Sequence, residues 1–158
     1  MPNHGIWDQD LSAMGLDSNF FKGKVVLLVN TASHCGYTPQ LAELQSLQQR
    51  WQFADFTVLA IPSTDFGGQE FTAHDDVCEF YQTQYQATFP IAFTTSVPGN
   101  PLHEYIAARG FNMPAWNFHK YVIDRSGQPR DSLRSDISPN SEMLMLSISK
   151  LLAEDPPE

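Results

Sequence analysis

The sequence predicts an α/β fold in which a mixed central sheet is flanked by helices, and two patterns carry that expectation. Val25-Val26-Leu27-Leu28-Val29 is an unbroken apolar run, the signature of a strand buried on both faces of a sheet. A helical pattern and a second strand-like run follow it. Strand, crossover helix and strand make a βαβ unit, whose strands are parallel and whose crossover is right-handed. A later strand ends at Asp124-Arg125-Ser126-Gly127, a turn signal that adds a hairpin connection. Parallel and antiparallel pairs therefore share one sheet.

Each element has its own warrant. Thr38-Pro39 starts a helix with proline in its first turn, and Leu41, Leu44, Leu47 and Trp51 then recur at helical spacing. Phe56-Thr57-Val58-Leu59-Ala60-Ile61 is the second strand, closed by Pro62. Thr72-Ala73-His74-Asp75 has a capping-type pattern and opens a helix running to about Tyr85, with Val77, Phe80 and Tyr81 as its apolar face and Cys78 beside Val77. A helix over 102–108, a strand over 118–123 and a last helix over 141–152 complete the order. No repeat interrupts the chain, and linker-like composition is confined to Asp155-Pro156-Pro157-Glu158. One domain over 1–158 is expected, with 1–21 as an N-terminal extension and 153–158 as a flexible tail.

Composition narrows the function. With 42% hydrophobic and 17% charged residues among 158, the chain carries too much apolar surface and too little charge to stay disordered. Lys and Arg number 9 against 18 Asp and Glu, and a net charge of -9 repels phosphate backbones and anionic lipid surfaces. Nucleic-acid binding and stable membrane association are therefore not expected. The longest apolar run is far shorter than the ~20 residues of a membrane span, and the start Met1-Pro2-Asn3-His4 has no signal-peptide core. A cytoplasmic protein is expected. The two cysteines, Cys35 and Cys78, are too few for a disulfide scaffold, so any chemistry they do is redox or nucleophilic. The five histidines show no recurring ligand spacing, and neither a metal site nor a Cys-His hydrolase pair on His34 or His119 is expected.

Cys35 falls between the buried strand and the Pro39 helix, in Ala32-Ser33-His34-Cys35-Gly36-Tyr37-Thr38-Pro39. That is the carboxyl edge of the sheet, where open α/β sheets form their ligand sites. Backbone N–H groups and the dipole of a helix N-terminus favour a thiolate there. Two readings fit the local sequence: a reactive thiol, or a small buried apolar residue. A dithiol oxidoreductase carries its second cysteine three positions after the first. Thr38 occupies that place, so no disulfide forms within the motif, and resolution falls to Cys78 or to an external thiol.

Three separated segments then converge on one family. The stretch from Gly23 through Asn30-Thr31-Ala32-Ser33-His34-Cys35-Gly36-Tyr37-Thr38 resembles the active-site segment of the glutathione peroxidase family, in the form with cysteine in place of selenocysteine. Phe66-Gly67-Gly68-Gln69-Glu70 is similar to its second motif, and Trp116-Asn117-Phe118-His119-Lys120-Tyr121 to its third, with weaker likeness over most of 22–152. The resemblance implies a thioredoxin-like fold and a site in which Cys35, Gln69, Trp116 and Asn117 converge on a peroxide. Thiolate attack on an O–O bond leaves negative charge on the departing oxygen, and donors must be aimed at it. Gln69 and Asn117 offer amide N–H groups and Trp116 an indole N–H. The implied cycle takes Cys35 to a sulfenic acid, which a thiol condenses to a disulfide. Hydrogen peroxide and organic hydroperoxides are the implied substrates, without metal or organic cofactor. A redox sensor or relay, and a thioredoxin-fold module with impaired catalysis, are the alternative roles.

The departures from the family pattern are specific. Where the family reads Pro-Cys-Asn-Gln-Phe-Gly, this chain has Pro62-Ser63-Thr64-Asp65-Phe66-Gly67, and an inward Asp65 carboxylate would disfavour the thiolate. The resolving cysteine of thioredoxin-dependent members falls near Tyr81 or Gln82, and Cys78 lies one helical turn earlier. Cys78 is thus either a resolving thiol or core packing beside Val77. Only residues 109–115 separate the preceding helix from the Trp-Asn motif, shorter than in tetrameric members, which implies a monomer or weak dimer. Lys120 is the clearest of the few basic residues near the site that could hold glutathione carboxylates, and a thioredoxin-like reductant is preferred over glutathione.

Overall fold

A computed structural model describes residues 5–156; residues 1–4 at the polar start and 157–158 of the tail lie outside the described residues. The sheet is built around β1 (Val25–Thr31), whose seven residues are all buried. It pairs in parallel with β2 (Phe56–Pro62), in a register running from Val25 opposite Phe56 to Thr31 opposite Pro62. On its other side β1 pairs antiparallel with β3 (Lys120–Ile123), which pairs antiparallel with β4 (Pro129–Leu133). The order β2-β1-β3-β4 is the mixed sheet expected from one βαβ unit and one hairpin.

The alternation of side chains along β1 explains the continuous apolar run. Val25, Leu27 and Val29 face one core, with Leu41 and Leu44 of α2 (Gln40–Trp51), Val77 and Tyr81 of α3 (His74–Tyr85), and Leu144 and Ile148 of α5 (Glu142–Leu152). Val26 and Leu28 face the other. There they meet Ile6, Trp7 and Phe21, the last in the short α1 (Ser18–Phe21), and Leu102 and Ile106 of α4 (Pro101–Ala108). Helices thus cover both faces of the sheet, the thioredoxin-like arrangement. Residues 5–21 form part of the second core. Among the described residues no helix is long and apolar enough to cross a membrane.

Three local expectations are corrected. The N-cap of α3 is Ala73, with no side-chain cap, so the Thr72 pattern does not close the helix start. The strand expected over 118–123 begins only at Lys120, because Phe118 has a left-handed backbone with φ of 68° that no strand accepts. Pro62 belongs to β2 rather than ending before it, which a proline tolerates because β2 stands at the end of the sheet order. Asn100, by contrast, caps α4 fully: its side chain accepts from Leu102 N and His103 N, and Pro101 follows as the first helical residue.

His103 of α4 is 1% exposed and neither of its ring nitrogens has a hydrogen-bond partner. It lies 6.1 Å from the Tyr121 ring, with His119 4.9 Å from that ring. Burial lowers both imidazoles from 6.5 to about 4, helped for His103 by the His119 charge and for His119 by that of Lys120. Both are neutral in the fold, while the unfolded chain binds protons below about 6.5, so stability falls as pH drops from 6.5 towards 4. Each histidine should remove about 2 kcal/mol between pH 7.5 and pH 5. Urea unfolding of His103→Leu at those two pH values is expected to show a smaller loss than the unaltered chain; an equal loss would remove His103 from the account.

Candidate active site

The carboxyl end of β1 leads through a turn into α2, and Cys35 sits in that turn. Thr38 builds it: its hydroxyl accepts from Cys35 N at 2.9 Å and donates to Ala32 O at 2.8 Å, and its own N–H donates to Cys35 O at 3.0 Å. The position that a dithiol enzyme gives to a second cysteine here shapes the loop around the first. Cys35 is 9% exposed, and its sulfur accepts from Tyr37 N at 3.4 Å, so a backbone donor faces the atom that becomes negative when the thiol ionises.

Two further loops close on this turn. His34 N donates to Gln69 O at 2.9 Å, joining the Cys35 loop to the Gln69 loop. Asn117, fully buried, donates through Nδ2 to Gln69 Oε1 at 3.0 Å and to Phe66 O at 3.2 Å. Because Gln69 accepts through its oxygen, the amide turns its NH₂ group outward as a donor. Trp116 is 37% exposed and lies 5.8 Å from the Phe66 ring. A Cβ on Gly67 would stand 3.1 Å from the Trp116 indole, and Gly67 has φ of 73°, so glycine serves both the turn and the close approach. Asn30 holds the Trp-Asn turn from the strand side: its Nδ2 donates to Trp116 O at 2.8 Å and its carbonyl accepts from Phe118 N at 2.6 Å.

The expected residues therefore do not play equivalent parts. Gln69 and Asn117 are in direct contact, Trp116 flanks the Gly67 turn, and the Cys35 loop is bonded to the Gln69 loop. Asn117, expected to offer its amide N–H groups to a substrate oxygen, already has both engaged with Phe66 and Gln69. Lys120 does not reach a ligand's carboxylates. It is fully buried, and its Nζ donates to Phe118 O at 2.7 Å and Ser135 O at 3.2 Å, with burial pushing the amine down to about 7. Asp65 is committed elsewhere as well. Its oxygens accept from Ser63 Oγ at 2.9 Å, from Ser96 Oγ at 3.2 Å and from Val97 N.

Cys78 is half-buried on α3, its sulfur 3.3 Å from His74 Nε2. Burial raises its pKa, and the nearby Asp75 charge adds to the rise. The His34 ring packs edge-on against Phe71 at 4.7 Å and His119 Nε2 lies 2.8 Å from Ser132 Oγ, so neither is paired with Cys35 as in a hydrolase. Among the described residues no group of three or more His, Cys, Asp or Glu could hold a metal ion.

Sequence reasoning missed the polar set beneath these loops. Glu70 accepts from Ser33 Oγ, from Phe71 N at 2.9 Å and from Tyr81 OH, and Tyr81 OH also meets Thr31 Oγ1 at 2.7 Å. Burial raises the Glu70 pKa, opposed by the bonds from Ser33, Tyr81 and Phe71. The available signal was Asn30-Thr31, two polar residues ending an apolar run. Groups carried out of a buried strand need partners.

The glutathione peroxidase family model matches residues 5–107. The chain is 36% identical over 141 residues to the glutathione peroxidase-like peroxiredoxin HYR1 of Saccharomyces cerevisiae, covering 84% of this chain and 85% of that protein. It is 37% identical over 145 residues to the hydroperoxy fatty acid reductase gpx1 of Synechocystis sp., again covering 84% and 85%. Among solved structures, the apo form of Trgpx superposes with a TM-score of 0.69 at 30% identity, covering 90% of this chain and 89% of that one.

Asp65 offers a direct check on the geometry. Since its carboxylate serves Ser63, Ser96 and Val97, Asp65→Asn should leave alkylation of Cys35 by iodoacetamide within about twofold while costing about 1–2 kcal/mol in urea unfolding. A marked acceleration of alkylation would place the carboxylate against the sulfur instead.

Proposed function

The chain belongs to the glutathione peroxidase family, and from that premise we propose that it is a thiol peroxidase that reduces hydrogen peroxide and organic hydroperoxides through Cys35. The observation that carries the reading is the Asn117–Gln69 amide pair, seated on a loop bonded to the Cys35 loop and leaving the Gln69 NH₂ as a donor. The Cys35 thiolate attacks one peroxide oxygen, the O–O bond breaks, and the sulfur becomes a sulfenic acid. The departing oxygen leaves as water or alcohol after taking a proton. Gln69 and the Trp116 indole N–H are the donors for the charge that develops there, and Asn117 orients Gln69. A thiol then condenses with the sulfenic acid, releasing water and forming a disulfide that a second thiol opens. Two thiols are oxidised for each peroxide reduced.

Organic hydroperoxides suit a site flanked by the exposed rings of Tyr37, next to Cys35, and Trp116, next to Gly67, and one relative carries the name hydroperoxy fatty acid reductase. The reductant best suited is a thioredoxin-like dithiol protein, since the buried Lys120 leaves glutathione carboxylates without that partner. Resolution by the external thiol fits the raised pKa of Cys78, which leaves little thiolate for attack on Cys35. Both cysteines are free, as suits a reducing, cytoplasmic setting, and the short 109–115 connection favours a monomer or weak dimer.

Peroxide consumption driven by a thioredoxin system or by glutathione tests the reading. Cys35→Ser should lower turnover by at least about a hundredfold. Turnover unchanged in that variant would refute the mechanism. Cys78→Ser is expected to keep thioredoxin-driven turnover, and its loss with one round of Cys35 oxidation intact would make Cys78 the resolving thiol.

A further inference from the structure

Glu70 is 6% exposed, and none of its acceptor contacts is with Lys, Arg or His. An isolated carboxylate is costly to bury unless donors surround it. Here three converge, each from a different part of the site: Ser33 Oγ from the Cys35 loop, Phe71 N from its own loop, and Tyr81 OH from α3. Ser33 is 5% exposed, and Tyr81 and Thr31 are fully buried, so the set is closed to water. As a carboxylate Glu70 accepts all three bonds, and these donors oppose the burial that raises its pKa.

The place of Glu70 in the chain matters as much as its bonds. It directly follows Gln69, whose carbonyl holds His34 N and whose amide holds Asn117. Anchoring Glu70 inward fixes the direction in which Gln69 leaves the backbone. Anchoring Ser33 to the same carboxylate fixes the loop two residues before Cys35.

Resting on the peroxidase reading above, we infer that Glu70 is a positioning residue of the site, a buried clamp that holds the Cys35 sulfur and the Gln69 donor in register. Glu70 touches neither the peroxide nor the sulfur. Its effect is on the alignment of a donor with the departing oxygen, which matters for O–O cleavage and not for simple thiolate substitution.

Two reactions of the reduced full-length chain separate these. Oxidation of Cys35 by hydrogen peroxide requires the aligned donor; carbamidomethylation of Cys35 by iodoacetamide, followed by peptide mass spectrometry, requires only the thiolate. Ser33→Ala and Glu70→Ala should slow oxidation about ten- to a hundredfold, the scale of a misplaced donor, and leave alkylation within about threefold. Glu70→Gln keeps an amide oxygen for Ser33 Oγ and Phe71 N and should recover most of the oxidation rate. Oxidation at the unaltered rate in Glu70→Ala, or a proportional fall in both reactions, overturns the inference. Should Glu70→Ala fail to fold, unaltered oxidation in Ser33→Ala overturns it equally. If the unaltered chain is oxidised no faster than free cysteine, the peroxidase reading itself falls and the inference with it; rapid oxidation that is indifferent to Ser33 and Glu70 sinks the inference alone.

Discussion

A strand sealed on both faces must find partners for most of the polar groups it carries, and at the carboxyl end of β1 that requirement assembles the site. Of the Asn30 and Thr31 side-chain groups, Asn30 Oδ1 alone is left without a partner. Asn30 and Thr31 are fully buried. The Asn30 side chain and carbonyl hold the turn bearing Trp116 and Asn117. Thr31 meets Tyr81 of α3 through its hydroxyl and takes Ser63 N on its carbonyl. Three segments remote in sequence are thus drawn to one strand end by the cost of leaving buried hydrogen-bonding groups unsatisfied, about 1–3 kcal/mol for each group. The cysteine lies in the turn that continues from that end. Catalytic geometry and fold stability therefore draw on the same bonds.

The electrostatics follow from what those bonds consume. A chain with net charge -9 is a poor host for a thiolate unless local donors compensate. The nearest buried cation, Lys120, bonds Phe118 O and Ser135 O and so braces the left-handed Phe118 turn from below. The sulfur faces a backbone N–H instead, from Tyr37. The hydrogen bonds of the nearby carboxylates go to groups other than the sulfur: Asp65 to Ser63, Ser96 and Val97, and Glu70 to Ser33, Phe71 and Tyr81. The acidic departure from the family's usual Pro-Cys-Asn-Gln-Phe-Gly segment is compatible with thiolate chemistry for this reason. Ser63 and Asp65 close a small turn of their own, with Asp65 N donating to Ser63 Oγ at 3.1 Å.

The sheet and its helices were largely legible because burial writes itself into periodicity. Val25 to Val29 reads as a strand covered on both faces and is one, and Leu41, Leu44 and Leu47 mark the face of α2 that covers it. What stayed illegible depends on tertiary partners. β4 reads Pro-Arg-Asp-Ser-Leu, an edge strand that is half solvated and so lacks an apolar signal. Phe118 gives no local hint of a positive φ, and its backbone is held by Asn30 of β1 and by the Lys120 side chain. Motif order brought Cys35, Gln69, Trp116 and Asn117 together as candidates. It did not show that the Asn117 amide faces Gln69, nor that Lys120 is buried. Tyr81 reads as core from its spacing with Val77, and it is core, yet its hydroxyl belongs to the Glu70 set.

That double role of Tyr81 bears on how an oxidised Cys35 returns to the thiol. Likeness to the family puts a resolving cysteine near Tyr81, which faces Thr31, or Gln82, which is exposed. In this chain the Tyr81 phenol is bonded to Thr31 and Glu70, while Cys78 sits a turn earlier beside His74. Any unwinding of α3 that extends to Tyr81 breaks its hydroxyl bonds to Glu70 and Thr31 and leaves those buried groups unpaired. The same bonds that tie Glu70 to the Cys35 loop and to Tyr81 therefore resist unwinding of α3 as far as that residue. On the reading proposed above, the carboxylate that aligns the donor also anchors the helix on which Cys78 lies.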